Sequence, residues 1–315
     1  MKDFAIFWGC TIQARFPFIE KSVRTVFGGM GLPYRDVDGF TCCPEKSLIN
    51  NIDTGMWKLT AARNVAVVED AGLDLVSPCT GCVSNLSTVK GELNADPGEK
   101  AEVNELLGEI GREFKGDAVI RHLVPFFHDS VGKLEITKVV KRNFKGMKVG
   151  IHYGCHMMRP SHILGVDDPL APVKFDNLVT MLGAESLKYD TKLTCCGQGL
   201  DRVDQHDNAM QMARLKLVEL RNKGADALVL CCPSCFLQFD NNQHLLEREG
   251  EKYGIPVLYY TDFLGLAMGY SAKELGIDMH RISAASFIEK WEALADAPAP
   301  SDIINDGLAQ SSPFI

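Results

Sequence analysis

Ten of the eleven cysteines in this 315-residue chain fall into one pattern written twice. Cys10, the vicinal pair Cys42-Cys43 and the C-x-x-C of Cys79 and Cys82 are followed by Cys155, the pair Cys195-Cys196 and the C-x-x-C of Cys232 and Cys235. The single cysteine precedes its pair by 31 intervening residues in one half and 39 in the other, and 35 residues separate pair from C-x-x-C in both. Chance does not repeat a five-membered pattern so closely. Disulfide frameworks belong to small secreted domains, so in a chain of this length the pattern points to metal or redox chemistry.

Counting narrows the metal. Structural zinc is saturated by four tetrahedral ligands, and each half offers five thiols. Iron–sulfur clusters are also commonly held by four cysteines, so a fifth is either a spare reactive thiol or part of a cluster of unusual connectivity with a bridging thiolate. Vicinal cysteines favour the second reading: consecutive residues point in different directions and can serve neighbouring irons, whereas a disulfide between them closes a strained ring. Cys79 and Cys232 are expected at helix N-termini, where dipole and free N–H groups stabilise a thiolate. Two closed zinc sites stapling two lobes, or inert buried thiols, are the competing structural readings. Cys231, the eleventh cysteine, lies on a strand-like run and reads as a packed core thiol.

Basic residues near the cysteines could grip an anionic substrate. Arg15 lies five residues after Cys10 and Arg159 four after Cys155. Each reads equally as a bidentate anion clamp or as a helix-start ion pair. His156 is a candidate proton donor to a leaving thiolate, and His152 and Trp8 are expected to pack near the sites.

These side chains need elements to hold them. Strand-like Phe4–Trp8 runs into Gly9-Cys10 and Val149–Tyr153 into Gly154-Cys155, while Leu73–Pro78 leads into Cys79 and Ala227–Cys231 into Cys232. Helical patterns run over Ile19–Phe27, Trp57–Ala71, Phe175–Leu182 and Asn208–Lys223, with Gly72 and Gly224 at plausible C′ positions. Strand alternating with helix predicts an α/β fold of two pseudo-symmetric, Rossmann-like lobes with parallel sheets, and the cysteines fall at the strand C-terminal ends, where such folds bind ligands. The expected organisation is a first lobe over 1–90, an inserted helical connector over 91–146, a second lobe over 147–290 and an extended tail over 291–315. Within the connector, 99–114 and 118–131 read as amphipathic helices. The basic run Lys138, Lys141, Arg142, Lys145 and Lys148 reads as a solvated linker, or as a surface steering an anionic partner.

A net charge of −8 argues against nucleic acid as a partner, which requires a concentrated basic surface. With 46% hydrophobic and 23% charged residues and no apolar run of spanning length, a membrane segment is not expected. The N-terminal residues show no secretory signal, so a cytoplasmic location is expected. No ferredoxin-type cysteine run and no strand–GxGxxG–helix dinucleotide site occurs. Electrons must then come from another protein.

The doubled pattern, Cys10, Cys42-Cys43-Pro44 and Cys79-Thr80-Gly81-Cys82, then Cys155, Cys195-Cys196-Gly197 and Cys232-Pro233-Ser234-Cys235, resembles the tandem cysteine-rich (CCG) domains of the heterodisulfide reductase B-type subunits over residues 1 to about 285. The first repeat departs in reading Cys-Cys-Pro for Cys-Cys-Gly. The resemblance implies two noncubane [4Fe-4S] clusters, each using all five cysteines of one repeat. They would face each other across a site that cleaves a small-molecule disulfide, the coenzyme M–coenzyme B heterodisulfide of methanogens. It also implies C-type and A-type heterodisulfide reductase subunits as partners, with hydrogenase or formate dehydrogenase behind them in an electron-bifurcating complex. Related cysteine-rich subunits serve sulfur oxidation and lactate- or quinone-linked systems, and these, with a zinc-stabilised docking scaffold, are the alternatives.

Overall fold

The computed structural model describes residues 2–294. Two all-parallel four-stranded sheets share one topology. The first runs β2-β1-β3-β4, with β1 Phe4–Ile6, β2 Tyr34–Arg35, β3 Asp74–Ser77 and β4 Ile120–His122. The second runs β6-β5-β7-β8, with β5 Lys148–His152, β6 Glu185–Ser186, β7 Ala227–Leu230 and β8 Val257–Tyr259. β1 and β7 are buried throughout, as expected of parallel strands covered on both faces. The inner strands of each sheet pair with Phe4 opposite Asp74 and Val149 opposite Ala227. This is the doubly wound order whose switch point lies between β1 and β3, and between β5 and β7.

The helices follow local rules. Helix α1 (Gly9–Arg15) leads directly into α2 (Pro17–Gly29), which carries proline in its first turn. Asp53 caps α3 (Thr54–Asp70) by accepting from the Met56 N–H at 2.9 Å. Gly72 closes α3, and Gly224 closes the matching helix His206–Asn222, each through a pair of Schellman hydrogen bonds at the expected C′ position. Helix α4 (Thr80–Ala95) starts at the first C-x-x-C, and α5 (Pro97–Gly108) follows it.

The expected helical connector is corrected in one respect. Its 118–131 portion forms β4, a short helical turn and a π-helical segment Phe126–Val131 instead of one amphipathic helix. Tertiary hydrogen bonds decide this. The Glu69 carboxylate accepts from the N–H groups of Lys115, Asp117 and Ala118, and Asp74 accepts from Val119, so the chain is drawn alongside β3. The first sheet therefore reaches to His122, well past the expected lobe edge at residue 90. The tail is corrected at its start: a helix spans Ala285–Ala293, and Trp291 is buried, donating from Nε1 to the Asn143 carbonyl at 2.8 Å. Arg142 of the basic run lies over the Trp291 ring at 4.1 Å and donates to the Trp291 carbonyl at 2.6 Å. Residues 295–315 lie outside the described residues.

The lobes are joined by reciprocal contacts. Tyr259, ending β8, donates its hydroxyl to the carbonyl of Pro78, just before the first C-x-x-C. His122, ending β4, donates from Nε2 to the carbonyl of Cys231 at 2.8 Å, just before the second; its Nδ1 accepts from Val124. Phe16 and Phe18 of the first lobe pack on Phe236 of the second at 5.3 and 5.5 Å between centroids. The carboxyl ends of both sheets thus converge. Among the described residues no helix is long and apolar enough to cross a membrane.

Candidate metal centre

All ten patterned cysteines line one cavity of about 330 Å³ between the lobes. Each repeat delivers them the same way. Cys10 and Cys155 lie in the first turn of short helices after β1 and β5, and Cys79 and Cys232 are the N-cap residues of the helices after β3 and β7. The switch point of each sheet, flanked by two cysteine-bearing strand ends, is the natural place for a bound group. The vicinal pairs come in on the loops between.

The sulfur geometry also repeats. Cys10 and Cys42 stand 3.7 Å apart, as do Cys155 and Cys195. Two thiolates on one tetrahedral metal at about 2.3 Å are separated by about 3.8 Å, so these spacings suit ligands of a common ion. Asn85 donates to Cys43 Sγ at 3.5 Å, and the Gly197 N–H to Cys195 Sγ at 3.4 Å. Cys79 and Cys232 also meet across the lobe interface, and Thr80 of the first repeat donates to Cys232.

Electrostatics bear on what the donors can hold. Contact with Cys42, then burial, pushes the Cys10 thiol up, and contact with Cys195, then burial, does the same to Cys155. Cys42, Cys79, Cys82, Cys196 and Cys235 are raised too, while three thiols go the other way. Hydrogen bonds from Cys42 and Cys82 hold Cys43 low, those from Cys155 and Cys196 hold Cys195 low, and those from Cys235 and Cys79 hold Cys232 low. Several sulfur anions in one buried cavity need compensating positive charge, and a multinuclear metal core supplies it. Ten soft thiolate donors, five per repeat, fit iron–sulfur clusters better than zinc, which four would saturate.

Other residues separate into those at the cavity and those away from it. His156 lines it, and a Cβ added at Gly81 of the other repeat would meet its Nδ1 at 3.6 Å. Arg15 and Arg159 are exposed and do not line it; the helix of Cys10 ends at Arg15, and Arg159 follows the four-residue helix of Cys155. None of the basic run from Lys138 to Lys148 lines it either. Cys231 is 1% exposed in the core and off the lining, where burial keeps its thiol protonated.

The lining also contains residues that spacing did not single out. Arg202 is the fixed cation of the wall, and Glu45 of the other repeat is its carboxylate. They pair at 3.4 Å across the cavity, with Arg202 also donating to Ser234 Oγ at 3.0 Å. Glu45 comes two residues after Cys43 and Arg202 six after Cys196, offsets that differ between repeats and so leave no periodic signal. Lys216 is fully buried in the helix His206–Asn222 and donates to the carbonyls of Thr191 and Lys192, bracing the turn before Cys195-Cys196. Burial pushes its pKa down to about 7.

Comparisons with known proteins agree with this geometry. A cysteine-rich domain family profile matches residues 4–87 and 149–240, one match per repeat. The B subunit of a CoB-CoM heterodisulfide reductase from Methanosarcina acetivorans is 37% identical, over 92% of this chain and 97% of the relative. An 8-methylmenaquinol:fumarate reductase membrane anchor subunit from Wolinella succinogenes is 30% identical, over 90% and 98%. Among solved structures, a hypothetical protein from Helicobacter pylori superposes with a TM-score of 0.69 at 18% identity, over 90% of this chain and 52% of that one, a likeness of fold. With ten repeated cysteines in one cavity and relatives aligned nearly end to end, the chain belongs to the tandem cysteine-rich domain family of the heterodisulfide reductase B-type subunits.

Proposed function

We propose that this chain is the disulfide-reducing component of a multi-subunit heterodisulfide reductase. It would act on the coenzyme M–coenzyme B heterodisulfide in the cytoplasm of a methanogen. Two noncubane [4Fe-4S] clusters would be its cofactors, one held by Cys10, Cys42, Cys43, Cys79 and Cys82, the other by Cys155, Cys195, Cys196, Cys232 and Cys235. The observation that carries this reading is the convergence of all ten thiols on a single cavity, with the two C-x-x-C segments touching across the lobe interface. A substrate lodged there is within reach of both centres at once.

Reduction of a disulfide consumes two electrons and two protons and leaves two thiols. The clusters, when bound, supply the electrons. The chain's own residues do the rest. Arg202 offers a charged fork to an anionic arm of the substrate, in place of its contact with Glu45. His156 on the wall can hold a proton on its ring for a departing thiolate sulfur. The buried floor at Trp8, Cys79, Thr80 and Cys232 shields the C-x-x-C sulfurs from bulk water, while Cys10 and Cys42 stay exposed at the opening. Electrons would be delivered by the C-type and flavin-bearing A-type components of the complex, fed by hydrogenase or formate dehydrogenase.

The Wolinella relative favours a second reading, in which the same scaffold serves a quinone-linked complex. Anaerobic iron and acid-labile sulfide analysis tests the shared premise, with about eight of each per chain expected for two four-iron clusters. Steady-state reduction of the heterodisulfide by the purified complex, driven by a viologen donor, then separates the readings. Zinc without sulfide overturns both.

A further inference from the structure

His152 is 1% exposed, and the disulfide chemistry above leaves it unused. Aligned on the steps Gly9-Cys10 and Gly154-Cys155, its place in the first repeat is taken by Phe7. Both rings are buried, and each meets an aromatic neighbour edge-on with centroids 5.0 Å apart, Phe7 against Phe40 and His152 against Phe239. A phenyl ring therefore fills this slot, and the imidazole adds only its two nitrogens. Nδ1 has no hydrogen-bond partner among the described residues. Nε2 lies 3.2 Å from Cys235 Sγ.

A buried polar ring is costly unless its donor is used. An imidazole carries at least one N–H. Sulfur is the acceptor within reach, and a metal-bound thiolate accepts far better than a thiol. The residue therefore makes sense as a partner to a loaded second centre. This inference rests on the cluster reading given above.

We propose that His152 is a positioning residue whose Nε2–H donates to the metal-bound Cys235 sulfur and raises the reduction potential of the second repeat's cluster. Reduction adds negative charge that spreads onto the ligand sulfurs, so a donor aimed at one of them stabilises the reduced state more than the oxidised one. In the first repeat the slot holds Phe7, and the side-chain contacts to sulfur are longer, Asn85 to Cys43 at 3.5 Å and Thr11 with Cys10 at 3.8 Å. The two centres are built alike in ligands and unlike in what polarises them.

The test is an EPR-monitored redox titration of the anaerobically purified holoprotein as wild type, His152→Phe and His152→Gln. Phenylalanine reproduces the first repeat's ring, and the glutamine amide restores an N–H near the position of Nε2. At fixed applied potential, the reduced-to-oxidised ratio of one cluster should fall about tenfold in His152→Phe, equivalent to about 59 mV for a one-electron couple. His152→Gln should recover most of it, and the other cluster should not move. An unchanged midpoint, or an equal shift of both clusters, overturns the proposal. So does loss of iron from the second repeat in both variants, which makes His152 a ligand, as its 4.8 Å grouping with Cys196 and Cys235 permits. Should the phenyl variant not load, His152→Leu carries the same comparison. Failure of the cluster reading shows earlier and separately, as absent iron in the wild type.

Discussion

Gly9 and Gly154 are equivalent residues whose replacement by alanine should have unequal consequences. Both precede the first cysteine of a repeat and both have positive φ, +68° and +78°, Gly154 with an extended ψ of 134°. An L-residue at either position costs about 1–3 kcal/mol for the backbone alone. The surroundings differ. A Cβ at Gly9 would lie 2.7 Å from Cys82 Sγ, about 0.7 Å short of ordinary contact, whereas at Gly154 the nearest atoms, on Thr80 and Cys235, lie at 3.6 and 3.7 Å. Overpacking adds about 1–3 kcal/mol, and metal–ligand distances hold to within about 0.2 Å. Cys82 cannot move aside by the required amount and remain a ligand. Gly9→Ala should therefore lose the first repeat's iron, about half the total, while Gly154→Ala keeps its full complement and melts a few degrees lower. Iron and sulfide analysis with anaerobic thermal melts reads both. Full iron in Gly9→Ala, or equal loss in the two variants, would refute the argument.

Cys196→Ala should strip iron from the second repeat, whereas Cys231→Ala should keep all of it for a packing loss on the order of 1 kcal/mol; metal analysis and melting decide, and retained iron in Cys196→Ala would sink the five-ligand assignment. Arg202→Gln removes a charge-assisted bond of about 1.5–3 kcal/mol and should raise the KM for heterodisulfide about tenfold or more. Glu45→Gln should lower it by freeing Arg202, and Arg15→Gln and Arg159→Gln serve as the comparison from outside the cavity. Burial lifts Asp262 to about 7, with the Tyr259 N–H at 2.8 Å and His280, itself lowered to about 4 by burial, at 3.8 Å. Its folded pKa exceeds the unfolded value, so stability present below about pH 4 is lost as pH rises to about 7. Asp262→Asn should flatten that part of the pH–Tm curve, by up to about 4 kcal/mol on the alkaline side, and an unchanged slope would contradict it.

The repeat, the α/β class and the cysteine inventory were legible in the sequence because each rests on local order. Cysteine spacing, apolar runs of strand length, and glycines such as Gly72 and Gly224 after helical periods need no partner to be recognised. The helix starts at Cys79 and Cys232 were readable for the same reason. β4 was not, because Ile120 and His122 become a strand only through pairing with β3 and the reach of Glu69 and Asp74 to the preceding backbone. The charged pair on the cavity wall was not legible for a similar reason. Proximity in sequence favoured Arg15 and Arg159, which lie off the cavity lining, while the fold brings Arg202 to Glu45 from the opposite repeat.

By itself, then, the sequence determined how many thiols each half presents and at which strand ends, since pattern and period are properties of the chain. Only the tertiary structure decided that two half-sites form one cavity, because Tyr259 to Pro78 and His122 to Cys231 are contacts between residues more than a hundred positions apart. It also decided that the halves differ, since a histidine and a phenylalanine are interchangeable as packing until one is found to face a sulfur.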